Sequence, residues 1–176
     1  MSKTKQSQRV WVIRAGKNGD AHKLFLESSV FALADAGLGD LTNLDPTRDA
    51  FYTVYRECHP DETESGSAGI AGKYFRFAQE VQIADLIVYP ALPDKNIYVG
   101  EVTSLYSFSQ ASEFPHQRKV RWQFVIPKAD FSRVAQYELG AARTFFEFKK
   151  NVQELMRKID DGAVTRLPLK TKAKAK

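Results

Sequence analysis

The stretch RVWVIR at residues 9–14 is read as the first strand, and the alternation of a half-buried strand is expected of it. A turn with two glycines, AGKNGD at 15–20, follows. After Asp20 a helix is predicted, with Leu24 and Phe25 inward and His22, Lys23 and Glu27 outward. Residues 30–41 (VFALADAGLGDL) read as a short strand and a surface turn. Asp45-Pro46 predicts a helix start, because Asp can accept from free N–H groups while Pro fits the first turn. That helix would turn Phe51, Val54 and Tyr55 inward. Residues 59–69 (HPDETESGSAG) are polar, acidic and free of large apolar side chains, so a flexible segment is expected. Beyond it, Ile70, Tyr74, Phe77 and Val81 recur at spacings of three and four and predict another helix.

The pattern then changes to strands. ADLIVYP at 84–90 is a buried-looking strand, a Pro-Asp turn follows, and IYVGEVT at 97–103 is the second. An aromatic loop, SLYSFSQASEFPH at 104–116, opens into QRKVRWQFV at 117–125. In this third strand Val120, Trp122 and Phe124 are expected on one face, and Lys119, Arg121 and Gln123 on the other. Gly140 reads as a break after a short helix, ARTFFEF at 142–148 carries no clear pattern, and a last helix spans about 150–161. Strands scattered among helices, with the longest antiparallel cluster late, predict an α+β domain built on a small, mostly antiparallel β-barrel flanked by helices. Regular βα alternation, which a doubly wound sheet requires, is missing.

Composition narrows the class. At 176 residues, 43% hydrophobic and 12% aromatic, the chain can bury a core without staples. Cys58 is the sole cysteine, so neither a disulfide framework nor a thiolate zinc cluster is available. No apolar run has the length of a membrane span and the start MSKTKQSQ is not a signal peptide, so a cytoplasmic protein without a membrane partner is expected. The net charge of +5 comes entirely from Arg166, Lys170, Lys172, Lys174 and Lys176; residues 1–165 carry 21 basic and 21 acidic side chains. The expected organisation is a disordered start at 1–8, one domain at 9–162 and a basic flexible tail at 163–176. That tail is either a salt-sensitive phosphate contact or simply a solvated end.

The aromatic loop and the strand leaving it carry the candidate chemistry. Tyr106, Phe108 and His116 stand beside Arg118, Lys119 and Arg121, and aromatic faces next to cations suit a nucleobase and its phosphate. Tyr106, on a loop with little packing reason to exist, is the first candidate for stacking. Trp122 is either a core residue or the lining of a cavity. Asp85, Glu101 and Thr103 partly resemble a metal-dependent nuclease site, but Thr103 stands where such a site wants lysine. Asp85 reads equally as a turn residue, and Glu101 as a partner of Arg118 or Arg121. The histidines show no ligand spacing, the serines no G-x-S-x-G elbow, and the glycines no phosphate-binding fingerprint. No catalytic residue, metal ligand or cofactor is assigned.

Several short runs resemble one known family in order and spacing. They are VWVIRAG at 10–16, LGDL at 38–41, VQIADLIVYP at 81–90, VGEVT at 99–103, YSF at 106–108, HQRKVRW at 116–122 and FSRVAQYELGA at 131–141. This chain resembles the amino-terminal domain of Mrr-type restriction endonucleases and related bacterial defence proteins. That domain is similar to the PUA-like group, which includes EVE and YTH domains. The resemblance implies a small barrel that reads a modified base flipped out of a duplex or strand, with DNA expected ahead of RNA as the partner, and passes the result to a separate nuclease or other effector chain. Two departures stand out. Ile83-Ala84-Asp85 replaces Ile-Gly-Asp, and Ala32-Leu33-Ala34-Asp35 replaces Gly-x-Gly-Trp, so Asp35 offers a hydrogen-bond acceptor in place of an aromatic wall. The expected nucleic-acid contacts are Arg14, Gly16, Asp35, Thr103, Tyr106, Phe108, His116, Arg118, Lys119, Arg121 and Trp122. Arg14, Gly16 and Asp35 would converge at one end of the barrel, with Arg14 pairing a phosphate or Asp35. A nucleotide or small-ligand sensor on the same barrel is the alternative, and a nuclease using Asp85 and Glu101 the third.

Overall fold

A computed structural model describes residues 7–168. Its centre is a curled mixed sheet, a half-barrel rather than a closed one. The strands are β1 (Val10–Ile13), β2 (Val30–Leu33), β3 (Leu86–Pro90), β4 (Asn96–Val102), β5 (Ser107–Phe108), β6 (His116–Pro127), β7 (Phe145–Glu147) and β8 (Thr165–Arg166). Spatial order is β2-β6-β4-β3-β1-β7, with β5 and β8 each pairing β6. Antiparallel pairing prevails except between β1 and β3, which run parallel, so the chain crosses over between them. That crossover contains α1 (His22–Glu27), α2 (Arg48–Cys58) and α3 (Glu64–Phe75). Two further helices, α4 (Arg133–Leu139) and α5 (Val152–Asp160), follow the long strand. Among the described residues no helix is long and apolar enough to cross a membrane.

The sheet is buried on both faces. Trp11, Ile13, Ile87, Tyr89, Val102, Val120 and Trp122 point to one side, where Phe25 of α1, Phe51 and Tyr55 of α2, and Ala71 and Tyr74 of α3 cover them. Val10, Val12, Leu86, Val88, Ile97, Val99, Phe124 and Ile126 point to the other, beneath Ala135 and Leu139 of α4 and Leu155 of α5. The strand expected at 9–14 forms, but its expected half-buried alternation does not hold: all four residues of β1 are buried, because each face has its own helical cover.

In β6 the expected common face of Val120, Trp122 and Phe124 does not hold. Pairing with β4 runs Val102↔Val120 and Gly100↔Trp122, then shifts to Val99↔Phe124 and Ile97↔Ile126. Gln123 is the extra residue of a β-bulge, which reverses the alternation of everything after it. Val120 and Trp122 therefore serve the first core, and Phe124 and Ile126 the second. Gly100 sits opposite the bulge, where a Cβ would come within 2.5 Å of Val120 Cγ2 and 2.8 Å of the Arg121 carbonyl oxygen.

Other boundaries also differ from the sequence reading. Thr47, not Asp45, caps α2, its hydroxyl accepting from the Ala50 N–H at 3.2 Å. The segment expected to be flexible becomes helical at Glu64, because Thr63 caps α3 through the Gly66 N–H at 3.0 Å. A π-helical turn at Arg76–Glu80 extends α3 and carries Phe77 into the core. His22 faces inward far enough to hydrogen-bond the Tyr89 hydroxyl at 2.7 Å. The unassigned ARTFFEF supplies β7. The expected tail begins as β8 on the edge of β6, and its residues 169–176, like 1–6 of the expected disordered start, lie outside the described residues.

Candidate functional site

Four of the expected contact residues, Thr103, Lys119, Arg121 and Trp122, line one cleft of about 690 Å³. Strand pairing explains why the cleft is there. On one side of β6, β2 covers residues 116–119 and β8 covers Phe124 and Val125. Backbone bonds from Val120 N to Ser29 O and from Leu167 N to Gln123 O close the two ends, leaving a gap in the ladder at Arg121 and Trp122. The bulge sits at that gap.

The wall of the cleft is apolar and aromatic. Trp122 lies nearly buried, its indole N–H donating to the Phe25 carbonyl at 2.7 Å, which fixes the ring plane. Tyr98 meets it edge-on with centroids 6.3 Å apart. Burial, helped by an ion–dipole bond to Asp94, pushes the Tyr98 phenol up to about 12, so it stays a neutral donor. Leu26, Val120 and Leu167 complete the wall, while Ser28, Ser29 and Thr103 place hydroxyls at the edge. Lys119 and Arg121 alternate on the exposed side of β6; Arg121 pairs with Glu101 at 3.3 Å, and Lys119 has no ion-pair partner among the described residues. Tyr98, Ser28 and Ser29 were not expected from the sequence. The alternation of Tyr98 with Gly100 and Val102 is the signal that would have placed it beside Trp122.

The aromatic loop has a different role. His116 is fully buried: its Nε2–H donates to the Asp35 carbonyl at 2.8 Å, so Nδ1 accepts from the Tyr106 hydroxyl at 2.7 Å. Tyr106 oxygen in turn accepts from the Leu41 N–H at 3.2 Å. Desolvation holds the His116 imidazole below its ordinary value, against the opposing pull of the Asp35 carbonyl. Burial also pushes the Tyr106 phenol up to about 12. Tyr106 is thus a half-buried core contact lying parallel to His116, not an unoccupied stacking platform. Phe108 packs its ring 5.5 Å from the same imidazole.

Arg118 is a correction of the same kind. It is 1% exposed; its Nη1 donates to the carbonyls of Phe77 at 3.1 Å and Val81 at 2.8 Å, and Nε and Nη2 both donate to Ser104 O. The guanidinium staples the π-helical turn to the loop after β4 and cannot reach a phosphate. Burial lowers it to about 10, Asp85 pulling the other way.

The three-residue convergence around Asp35 does not form as expected. Asp35 takes a left-handed backbone, φ 81°, and its carboxylate meets His59 Nε2 at 2.8 Å instead of Arg14. His59 stacks on Tyr55 with centroids 4.4 Å apart. Arg14 continues the β1–β7 ladder, its N–H donating to Thr144 O at 2.9 Å. Gly16 lies against Asp20 and the Phe114 ring, with φ 78°. Asp85 is buried and accepts from Arg9 N, Trp11 Nε1 and Gln82 N at 2.9–3.1 Å. Its carboxylate is so committed, and Glu101 pairs with Arg121, so both carboxylates of the alternative nuclease reading are in structural service.

A family model for a domain of unknown function, DUF8426, matches residues 11–149. Among curated proteins none matches the chain.

Proposed function

We propose that this chain, which belongs to the DUF8426 family, is a nucleic-acid-binding module that seats one base in the Trp122 cleft. The observation that carries this reading is the cleft itself. An aromatic wall fixed by the Trp122–Phe25 hydrogen bond stands at a gap in the sheet, with Lys119 and Arg121 on the adjoining outer face. Its volume of about 690 Å³ is large enough for a nucleoside. Flipping a base costs a few kcal/mol, which stacking and edge hydrogen bonds must recover. The hydroxyls of Ser28, Ser29 and Thr103 supply the donors and acceptors that distinguish one base edge from another, beside the ring of Tyr98. The curled sheet with flanking helices is compatible with a PUA-like domain. On that reading the base is a modified one in DNA, and the module serves a restriction or defence system through a separate effector.

A second reading draws on the same geometry. With two cations at its rim among the described residues and a largely apolar wall, the cleft also suits a free nucleotide or another small aromatic ligand. Fluorescence anisotropy with unmodified, methylated and hydroxymethylated oligonucleotides, at two salt concentrations, separates the two. Replacing Lys119 and Arg121 together by alanine should weaken binding of all sequences alike and flatten the salt dependence by roughly one unit per contact. A salt slope unchanged in the double variant would remove Lys119 and Arg121 from the interface. Failure of every oligonucleotide to bind, with a free nucleoside phosphate binding instead, would establish the second reading.

A further inference from the structure

The open edge of the sheet lies far from the Trp122 cleft in the strand order. β7 pairs with β1 on one side and with no strand on the other among the described residues. The bonds Arg14 N to Thr144 O and Phe148 N to Val10 O set the register, so residues 144, 146 and 148 face β1. By antiparallel alternation, the backbone groups of Phe145 and Glu147 point away from it. Beside this edge, α4 and the loop after β7 border a groove of about 840 Å³. Its apolar part includes Phe146, Ala141 and two side chains with no packing reason for their exposure, Tyr137 at 85% and Val134 at 66%.

Charge distinguishes the groove further. Arg133, Arg143, Lys149 and Lys150 line it, against Glu138 and Glu147. Both carboxylates are already occupied. Glu138 accepts from the backbone N–H groups of Lys149, Lys150 and Asn151, and Glu147 is bonded to Arg9 at 2.6 Å. Arg133, Arg143 and Lys150 have no carboxylate partner among the described residues. A second copy of this chain would set like charges against one another, so self-association is disfavoured.

From this edge and this charge we infer a docking site for an extended, acidic segment of a partner protein. The segment adds a strand to β7, lays an apolar side chain between Val134 and Tyr137, and sets its carboxylates against the Arg133, Arg143, Lys149 and Lys150 cluster. The inference is independent of the Trp122 cleft.

The test is selection from a displayed library of random short peptides, followed by titration of the enriched synthetic peptide into the isotope-labelled protein. Enriched peptides should combine acidic with apolar residues and shift the amide signals of β7 and α4. Their affinity should fall more than about tenfold in Tyr137→Ser and in the Arg143→Glu, Lys149→Glu double variant. These side chains are exposed, so the variants keep the fold, which their unshifted core amide signals verify. Absence of enrichment, enrichment of basic or uncharged peptides, or affinity unmoved by Tyr137→Ser would overturn the inference. So would an oligonucleotide that binds this face and is not displaced by the selected peptide.

Discussion

Arg118 and His116 show how little a residue's type says about its task. Both stand in the HQRKVRW run with every appearance of a contact surface, and both are core. Truncating Arg118 to alanine strips hydrogen bonds from the buried carbonyls of Phe77 and Val81 and from the half-buried carbonyl of Ser104. The loss should be at least about 3 kcal/mol in denaturant unfolding. Arg118→Lys should recover only part of it, since one ammonium cannot span the fork. For His116 the sign follows from burial, which holds its folded value below the unfolded one. The unfolded chain then binds a proton near pH 6.5 that the fold refuses. Stability owed to His116 is whole above that pH and declines as pH falls toward the folded value. In nuclear magnetic resonance the ring should keep its Nε2–H tautomer through the ordinary histidine range; titration at or above pH 6.5 would contradict this.

At the scale of elements, most strands and the helices, though not the caps that start them, were legible because each rests on local signals. The strands β3 and β4, the turn between them, α1 and α5 follow from apolar runs and spacing. What was not legible has two physical causes. One is tertiary cover: Phe145 and Phe146 of β7 are buried on opposite faces, so no alternation marks that strand, and the all-buried residues of β1 leave the strand legible but not its two faces. The other is the bulge, a two-strand property that neither β4 nor β6 announces alone. Of the candidate site, Lys119, Arg121 and Trp122 were found through alternation on β6 and Thr103 through its place after Glu101 at the end of β4, whereas Ser28 and Ser29 come from a turn far away in sequence. Gly100 is the residue that lets the bulge close. Gly100→Ala would press a Cβ against Val120, Arg121 and Trp122, and should cost about 1–3 kcal/mol, read as a lower denaturation midpoint.

For the whole molecule, two cores share one sheet. The strands β1, β3, β4 and β6 each contribute side chains to both. Neither set of helices can lose its cover without exposing the back of strands the other needs. Unfolding should therefore be a single transition, with calorimetric and van't Hoff enthalpies equal. Phe31→Ala in the first core and Leu155→Ala in the second should each lower that same transition, by about 3–5 and 2–5 kcal/mol respectively. Two resolved transitions in either variant would show that the cores melt apart.

Gln123 has a last consequence, for whoever reads a relative of this chain. Even-numbered positions of β6 belong to the α1–α3 side up to Trp122, and to the α4–α5 side from Phe124 onward. An alignment scored by hydrophobic parity sees an unbroken run of buried even positions there, and so assigns every later side chain to the wrong neighbour. A one-residue gap at this point between two relatives is therefore a change of phase, and the substitutions tolerated downstream of it should be compared only after the phase has been matched.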